Sequence, residues 1–163
     1  MKTVIIVSSR HGFTEKAAEK LSEKLNSLVD IKSLDKNFER DFSEYHNIIF
    51  GSPVYGGKLR PLTVKFIKEN IEQLNTKNIG FFVCSKENNN VEKIIASNLP
   101  NAFTEQLKIK GEFGYGVNFD QLSGVEKVAT RIIMKKGESE AVLKEDNIAE
   151  FAEKVNQFDL ISR

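Results

Sequence analysis

The segment Ser8-Ser9-Arg10-His11-Gly12-Phe13-Thr14 leaves a β-branched apolar run and enters an amphipathic stretch. A helix that starts there presents backbone N–H groups without intrahelical acceptors and carries partial positive charge. An anion fits such a place. Ser8, Ser9 and Thr14 supply hydroxyls, Gly12 permits close backbone approach, and Arg10 or His11 adds positive charge. The same residues fit a capped helix start with exposed basic side chains equally well. A second segment, Ser52-Pro53-Val54-Tyr55-Gly56-Gly57, sets an aromatic residue beside two permissive glycines. A flat ring held over a crevice suits stacking on a planar ligand, although a surface tyrosine would look the same. The third segment, Cys84-Ser85-Lys86-Glu87-Asn88, leaves another apolar run.

Several other chemistries are excluded. A dinucleotide fingerprint needs three glycines where only Gly12 stands, and no G-x-x-x-x-G-K-[ST] loop occurs. A phospho-accepting receiver would carry acidic residues after the first strand, where Ser8, Ser9 and Arg10 stand. A C-x5-R phosphatase loop fails because Asn90 occupies the arginine position after Cys84. His11 and His46 are the only histidines, so no metal constellation forms. Cys84 ends an apolar run and fits a packed thiol. No residue is assigned a catalytic role.

The elements that must position these segments follow from hydrophobic patterning. Thr3–Val7, Asn47–Gly51 and Ile79–Cys84 are nearly continuous apolar runs, as expected of parallel strands buried on both faces. Leu28–Leu34 alternates as an edge strand would, and Lys110–Val117 is a fifth, glycine-weakened candidate. Three apolar stripes have helical spacing: Ala17, Leu21, Leu25 and Leu28; Val64, Ile67, Ile71 and Leu74; Ile148, Phe151, Ala152, Val155 and Phe158. Strand and helix therefore alternate, which predicts one α/β domain over residues 1–163, doubly wound around a parallel sheet. Ligands bind such sheets beyond the carboxyl ends of the strands, where all three segments lie.

Composition agrees with a globular domain: 40% hydrophobic, 29% charged, net charge +1. That balance gives no electrostatic basis for nucleic-acid binding. The single cysteine excludes an intrachain disulfide and suits a reducing, cytoplasmic setting. No apolar run approaches the roughly 20 residues of a membrane span.

Taken in order, the three segments resemble the FMN loops of flavodoxin-like proteins. Ser8–Thr14 is similar to the family's S/T-x-T-G-x-T phosphate loop lengthened by one residue, and Gly51–Gly57 is similar to its second flavin loop. Cys84–Asn88 stands in the place of the third. The variant S-[ST]-R-x-G-x-T with G-[SA]-x-x-x-Y-G resembles most the menaquinone-dependent protoporphyrinogen dehydrogenase subgroup. The resemblance implies a five-stranded parallel sheet of order 2-1-3-4-5, helices on both faces and FMN as cofactor. It implies a small FMN-dependent oxidoreductase working with a redox partner or a quinone-linked substrate. The alternative is an electron carrier without its own substrate. Carriers of this family are strongly acidic, whereas this chain is nearly neutral.

Residues 118–145 are too long for an ordinary strand–helix connection of about 2–6 residues, so an insertion is expected before the last helix. Leu122, Val125, Val128, Ala129 and Ile132 form a stripe among Lys127, Arg131, Lys135 and Lys136. It fits a short extra helix packed on the domain. It also fits a basic amphipathic lid, with residues 120–136 touching a substrate or a membrane surface.

Overall fold

A computed structural model of the chain describes residues 1–86, 90–116 and 141–161. In order these form β1 (Lys2–Val7), α1 (Phe13–Ser22), β2 (Leu28–Ser33), β3 (Asn47–Tyr55) and β4 (Lys58–Leu59). Then come α2 (Pro61–Leu74), β5 (Asn78–Cys84), α3 (Val91–Asn98), α4 (Asn101–Thr104) and β6 (Leu107–Glu112). The last are β7 (Gly114–Gly116), β8 (Ala141–Leu143) and α5 (Glu145–Ile161), α5 being the last helix described. The main sheet runs β2-β1-β3-β5-β6, every one of these pairs parallel. With the short antiparallel β4 set aside, this is the expected 2-1-3-4-5 order.

The buried strands show why continuous apolar runs were needed. Successive side chains of a strand point to opposite faces, and both faces are covered. Val4, Ile6, Phe50, Phe81 and Val83 pack with Phe66 and Ile67 of α2 and Ile94 and Ile95 of α3. Ile5, Val7, Ile49 and Phe82 pack with Ala17 and Leu21 of α1 and with Ile148, Phe151 and Val155 of α5. The edge strand β2 is exposed or half-buried throughout.

Four expectations change. The first helical stripe overran: α1 ends at Ser22, Leu25 packs beneath it, and Leu28 opens β2 at 76% exposure. A helix the stripes did not include, α3, forms behind Asn90, whose side chain accepts the Lys93 N–H at 3.2 Å. β3 continues through Ser52–Tyr55, because β4 pairs with its end. The fifth main strand begins at Leu107 and stops at Glu112. At Gly114 a φ of 98° turns the chain away, into an antiparallel ribbon of β7 with β8. Gly116 and Ala141 close that ribbon, so the insertion's two ends meet there. The Leu122–Lys136 stripe lies outside the described residues.

Residues 34–46 connect β2 to β3 without a helix. Aromatic burial covers the sheet there instead. Phe42 is 1% exposed and meets Phe66 edge-on at 6.0 Å, and the Tyr45 hydroxyl donates to Asp30 at 2.7 Å.

Gly51 is among the glycines that close packing fixes. It pairs with Phe82 across the sheet, and a Cβ on Gly51 would lie 2.2 Å from the Phe82 ring. That ring in turn stacks on Phe113 at 4.3 Å between centroids. Overpacking of this kind costs about 1–3 kcal/mol. Gly51→Ala is therefore expected to lower the urea unfolding midpoint without changing the slope of the transition. An unchanged midpoint would show that the Phe82 ring yields freely.

Candidate functional site

Two hydrogen bonds gather the carboxyl ends of the strands. The Ser8 N–H donates to the Gly51 carbonyl at 3.1 Å, and the Leu34 N–H donates to the Val7 carbonyl at 2.8 Å. The first turn thus lies between the ends of β2 and β3. Gly12, at φ 83°, caps α1 with no side-chain hydrogen bond. The first helical bond is donated by the Lys16 N–H to the Gly12 carbonyl at 3.1 Å. The N–H groups of Phe13, Thr14 and Glu15 precede it and point out of the helix end.

The hydroxyls of this turn are distributed unevenly. Ser9 accepts the Gly12 N–H at 2.9 Å and tightens the turn. Ser8 is fully buried and pairs with the Thr63 hydroxyl at 2.7 Å. The Thr14 hydroxyl is buried against the Cys84 thiol. Phe13 packs into the core shared by α1 and α5, Arg10 is exposed and His11 is half-buried. Ser8 and Thr14 thus face protein partners, while the backbone N–H groups at the start of α1 are free of intrahelical acceptors and suit an anion.

Across from the turn, β3 and β4 form a hairpin. Gly56 at φ 56° and Gly57 at φ 73° make the two-residue left-handed turn that matches strand twist. Tyr55 pairs with Lys58 and stands 54% exposed. Desolvation pushes its phenol pKa up, against the opposing charges of Arg10 and Arg60. Pro53 and Val54 are buried, and the Arg60 N–H donates to the buried Ser52 hydroxyl at 3.4 Å. Asn98 of α3 fixes the hairpin from behind: it donates to the Gly57 carbonyl at 3.0 Å and accepts the Leu59 N–H at 3.2 Å.

In the third segment Ser85 is buried, and its N–H donates to the Gly114 carbonyl at 2.8 Å. Lys86 is exposed, with its ammonium 5.7 Å from the centre of the Tyr115 ring. Glu87 and Asn88 lie outside the described residues. Burial pushes the Cys84 thiol up to about 12, against a hydrogen bond from Thr14 and with a further push from Glu112. It is a packing residue, not a nucleophile.

Two residues that the sequence reading missed complete the edge. Asp35, just beyond β2, accepts the Ser9 N–H at 3.0 Å. Arg60, at the N-cap of α2, donates to both Asp35 oxygens at 2.8 and 2.9 Å. Burial pushes the Asp35 carboxyl up, yet Arg60 and the Ser9 N–H outweigh it and hold the group below its ordinary value. The only signal in the sequence was position: an acid ending the edge strand, and an arginine preceding Pro61.

The sequence matches the flavodoxin-domain family over residues 4–143. The chain belongs to that family. A flavodoxin of Streptococcus pneumonia TIGR4 is 18% identical, with 97% of this chain and 99% of that one aligned at a TM-score of 0.62. An archaeal flavodoxin is 17% identical over 95% and 99% of the two chains at a TM-score of 0.60. The Fusobacterium nucleatum flavodoxin bound to flavin mononucleotide is 9% identical over 96% and 98%, at a TM-score of 0.61. At such identities the likeness is one of fold. Comparison with curated protein sequences finds no significant match. Among the described residues of this flavodoxin-domain protein, no helix is long and apolar enough to cross a membrane, and no acidic, cysteine or histidine cluster could hold a metal.

Because Cys84 is the sole cysteine, thiol labelling reports on this site alone. Iodoacetamide at neutral pH is expected to leave the folded protein unmodified and to alkylate it in denaturant. Rapid labelling of the folded protein would mean the thiol is open. The raised pKa also has a stability sign. The folded thiol keeps its proton from the ordinary value near 9 up to about 12. Its contribution is therefore whole below pH 9 and is lost as pH rises through that window.

Proposed function

We propose that this flavodoxin-domain protein binds FMN and serves as a redox protein, in the form of a small FMN-dependent oxidoreductase. The observation that carries this reading is the pairing of a helix start that has no side-chain cap with an exposed tyrosine on the β3–β4 hairpin. The donor set fits FMN at both ends. Backbone N–H groups at a helix start suit a phosphate monoester, and an amphipathic ring suits an isoalloxazine. The FMN-bound state of the Fusobacterium nucleatum flavodoxin supports the assignment by fold.

In this reading the phosphate lies on Ser8–Thr14, held by the N–H groups around Gly12 with Arg10 and His11 at its rim. The ring lies between Ser52–Gly57, where Tyr55 stacks, and Cys84–Asn88. FMN, when bound, supplies the electron transfer. The chain's own residues orient it: Asn98 fixes the hairpin, and the Ser85 N–H ties the third segment to Gly114. No side-chain acid or base is required. The near-neutral charge of +1 favours an enzyme over a carrier steered to basic partners. The two motifs quoted above favour a quinone-linked substrate of the protoporphyrinogen dehydrogenase kind, with a cytoplasmic location. An electron carrier without its own substrate is the second reading, supported by the flavodoxin structures. Turnover with a quinone and a reduced porphyrin separates the two.

Two variants test the two ends of the site. Gly12→Ala penalises the left-handed turn by about 1–2 kcal/mol, which binding must restore. It is expected to weaken FMN roughly tenfold while sparing riboflavin, which has no phosphate. Tyr55→Ala is expected to weaken both flavins by the same factor, read by quenching of flavin fluorescence. Equal losses of both flavins in Gly12→Ala would put the phosphate elsewhere.

A further inference from the structure

The first turn already holds an anion of its own. The Asp35 carboxylate, not a solvent ion, accepts the Ser9 N–H at 3.0 Å. Through both its oxygens it also engages the Arg60 guanidinium. The pair is sheltered, with side chains 33% and 22% exposed, and it bridges three elements: the end of β2, the first turn and the start of α2. Arg60 is not anchored to another carboxylate among the described ion pairs, so its charge is committed to Asp35 alone. Its backbone is fixed, because the Arg60 N–H donates to Ser52 and the Arg60 carbonyl accepts the Thr63 N–H at 3.0 Å. The backbone is therefore held while the guanidinium remains on a rotatable stem.

We propose that Asp35 is a built-in stand-in for the FMN phosphate, which on arrival displaces the carboxylate from the Ser9 N–H and takes the Arg60 guanidinium for itself. This rests on the FMN reading above and adds two residues to it, Arg60 as a phosphate ligand and Asp35 as its competitor. The chemistry is an exchange of anions. A dianionic phosphate offers more acceptor oxygens and more charge than a carboxylate, and a guanidinium engages either by two parallel N–H bonds. The Asp35–Arg60 pair keeps the turn formed and the cation in place before FMN arrives. The carboxylate's repulsion of the incoming phosphate is the opposing term, and it excludes weaker anions from the turn.

The test is the affinity of the full chain for FMN and for riboflavin in wild-type, Asp35→Asn, Arg60→Gln and doubly substituted protein. The urea midpoint of each flavin-free variant is read alongside. Asp35→Asn keeps the shape and an acceptor for the Ser9 N–H but removes the competing charge. It is expected to tighten FMN by roughly tenfold, to leave riboflavin unchanged and to lower the urea midpoint of the flavin-free protein. Arg60→Gln is expected to weaken FMN by a similar factor and riboflavin little, and the double variant to bind FMN less tightly than Asp35→Asn alone. If Asp35→Asn weakens FMN, the carboxylate is a fixed clamp and the exchange is overturned. Equal effects on both flavins overturn it too, since the pair would then act on the ring. Wild-type protein that binds neither flavin removes the FMN reading itself, and the exchange with it. Wild-type protein that favours FMN over riboflavin, with Asp35→Asn unchanged, removes the exchange alone.

Discussion

Val7 is the residue on which the carboxyl edge of the sheet turns. Its carbonyl accepts the Leu34 N–H from the β2 side, and the next N–H, that of Ser8, goes to the Gly51 carbonyl on the β3 side. A parallel ladder with this register brings three strand ends to one line. The first turn cannot shift along the sheet without breaking one of these bonds and burying an unpaired backbone group. Everything beyond that line, from the hairpin to the Asp35–Arg60 pair, is placed by it.

Side chains then refine what the backbone has placed. Ser8 joins the first turn to α2 through Thr63, Thr14 joins it to β5 through Cys84, and Asn98 ties the hairpin to α3. These bonds are buried or partly buried, where a lost partner is costly. The exposed groups, Tyr55, Arg10, Lys58 and Lys86, stand on the rigid frame that results. The division suits a binding site, because a ligand meets exposed side chains on an edge whose backbone is tied by hydrogen bonds.

How much of this was legible in the sequence depended on the kind of constraint. Strands covered on both faces need apolar residues at every position, so β1, β3 and β5 were plain, whereas their order followed only from the family resemblance. Periodicity alone could not say where α1 ends, since Leu25 is buried after the helix stops and Leu28 belongs to the next strand. α3 escaped because its stripe of Val91, Ile94 and Ile95 is short and follows a polar run. The turn that opens α1 was visible as small, hydroxyl-rich residues. The direction of each hydroxyl was not, because Ser8 finds Thr63 across 55 positions of chain. Asp35 and Arg60 were hidden for the same reason: neither is unusual locally, and only the folded sheet edge makes them partners.

The ribbon of β7 and β8 has a consequence for how this fold can vary. Residues 117–140 leave Gly116 and return to Ala141, which are paired, so their ends are already closed beside Ser85. For a flexible loop, doubling the length between fixed ends costs only about 0.6 kcal/mol. Chain added or removed at this point is therefore nearly neutral for the parallel sheet. Related proteins could diverge at this one address without renegotiating the core that both faces of the sheet have built.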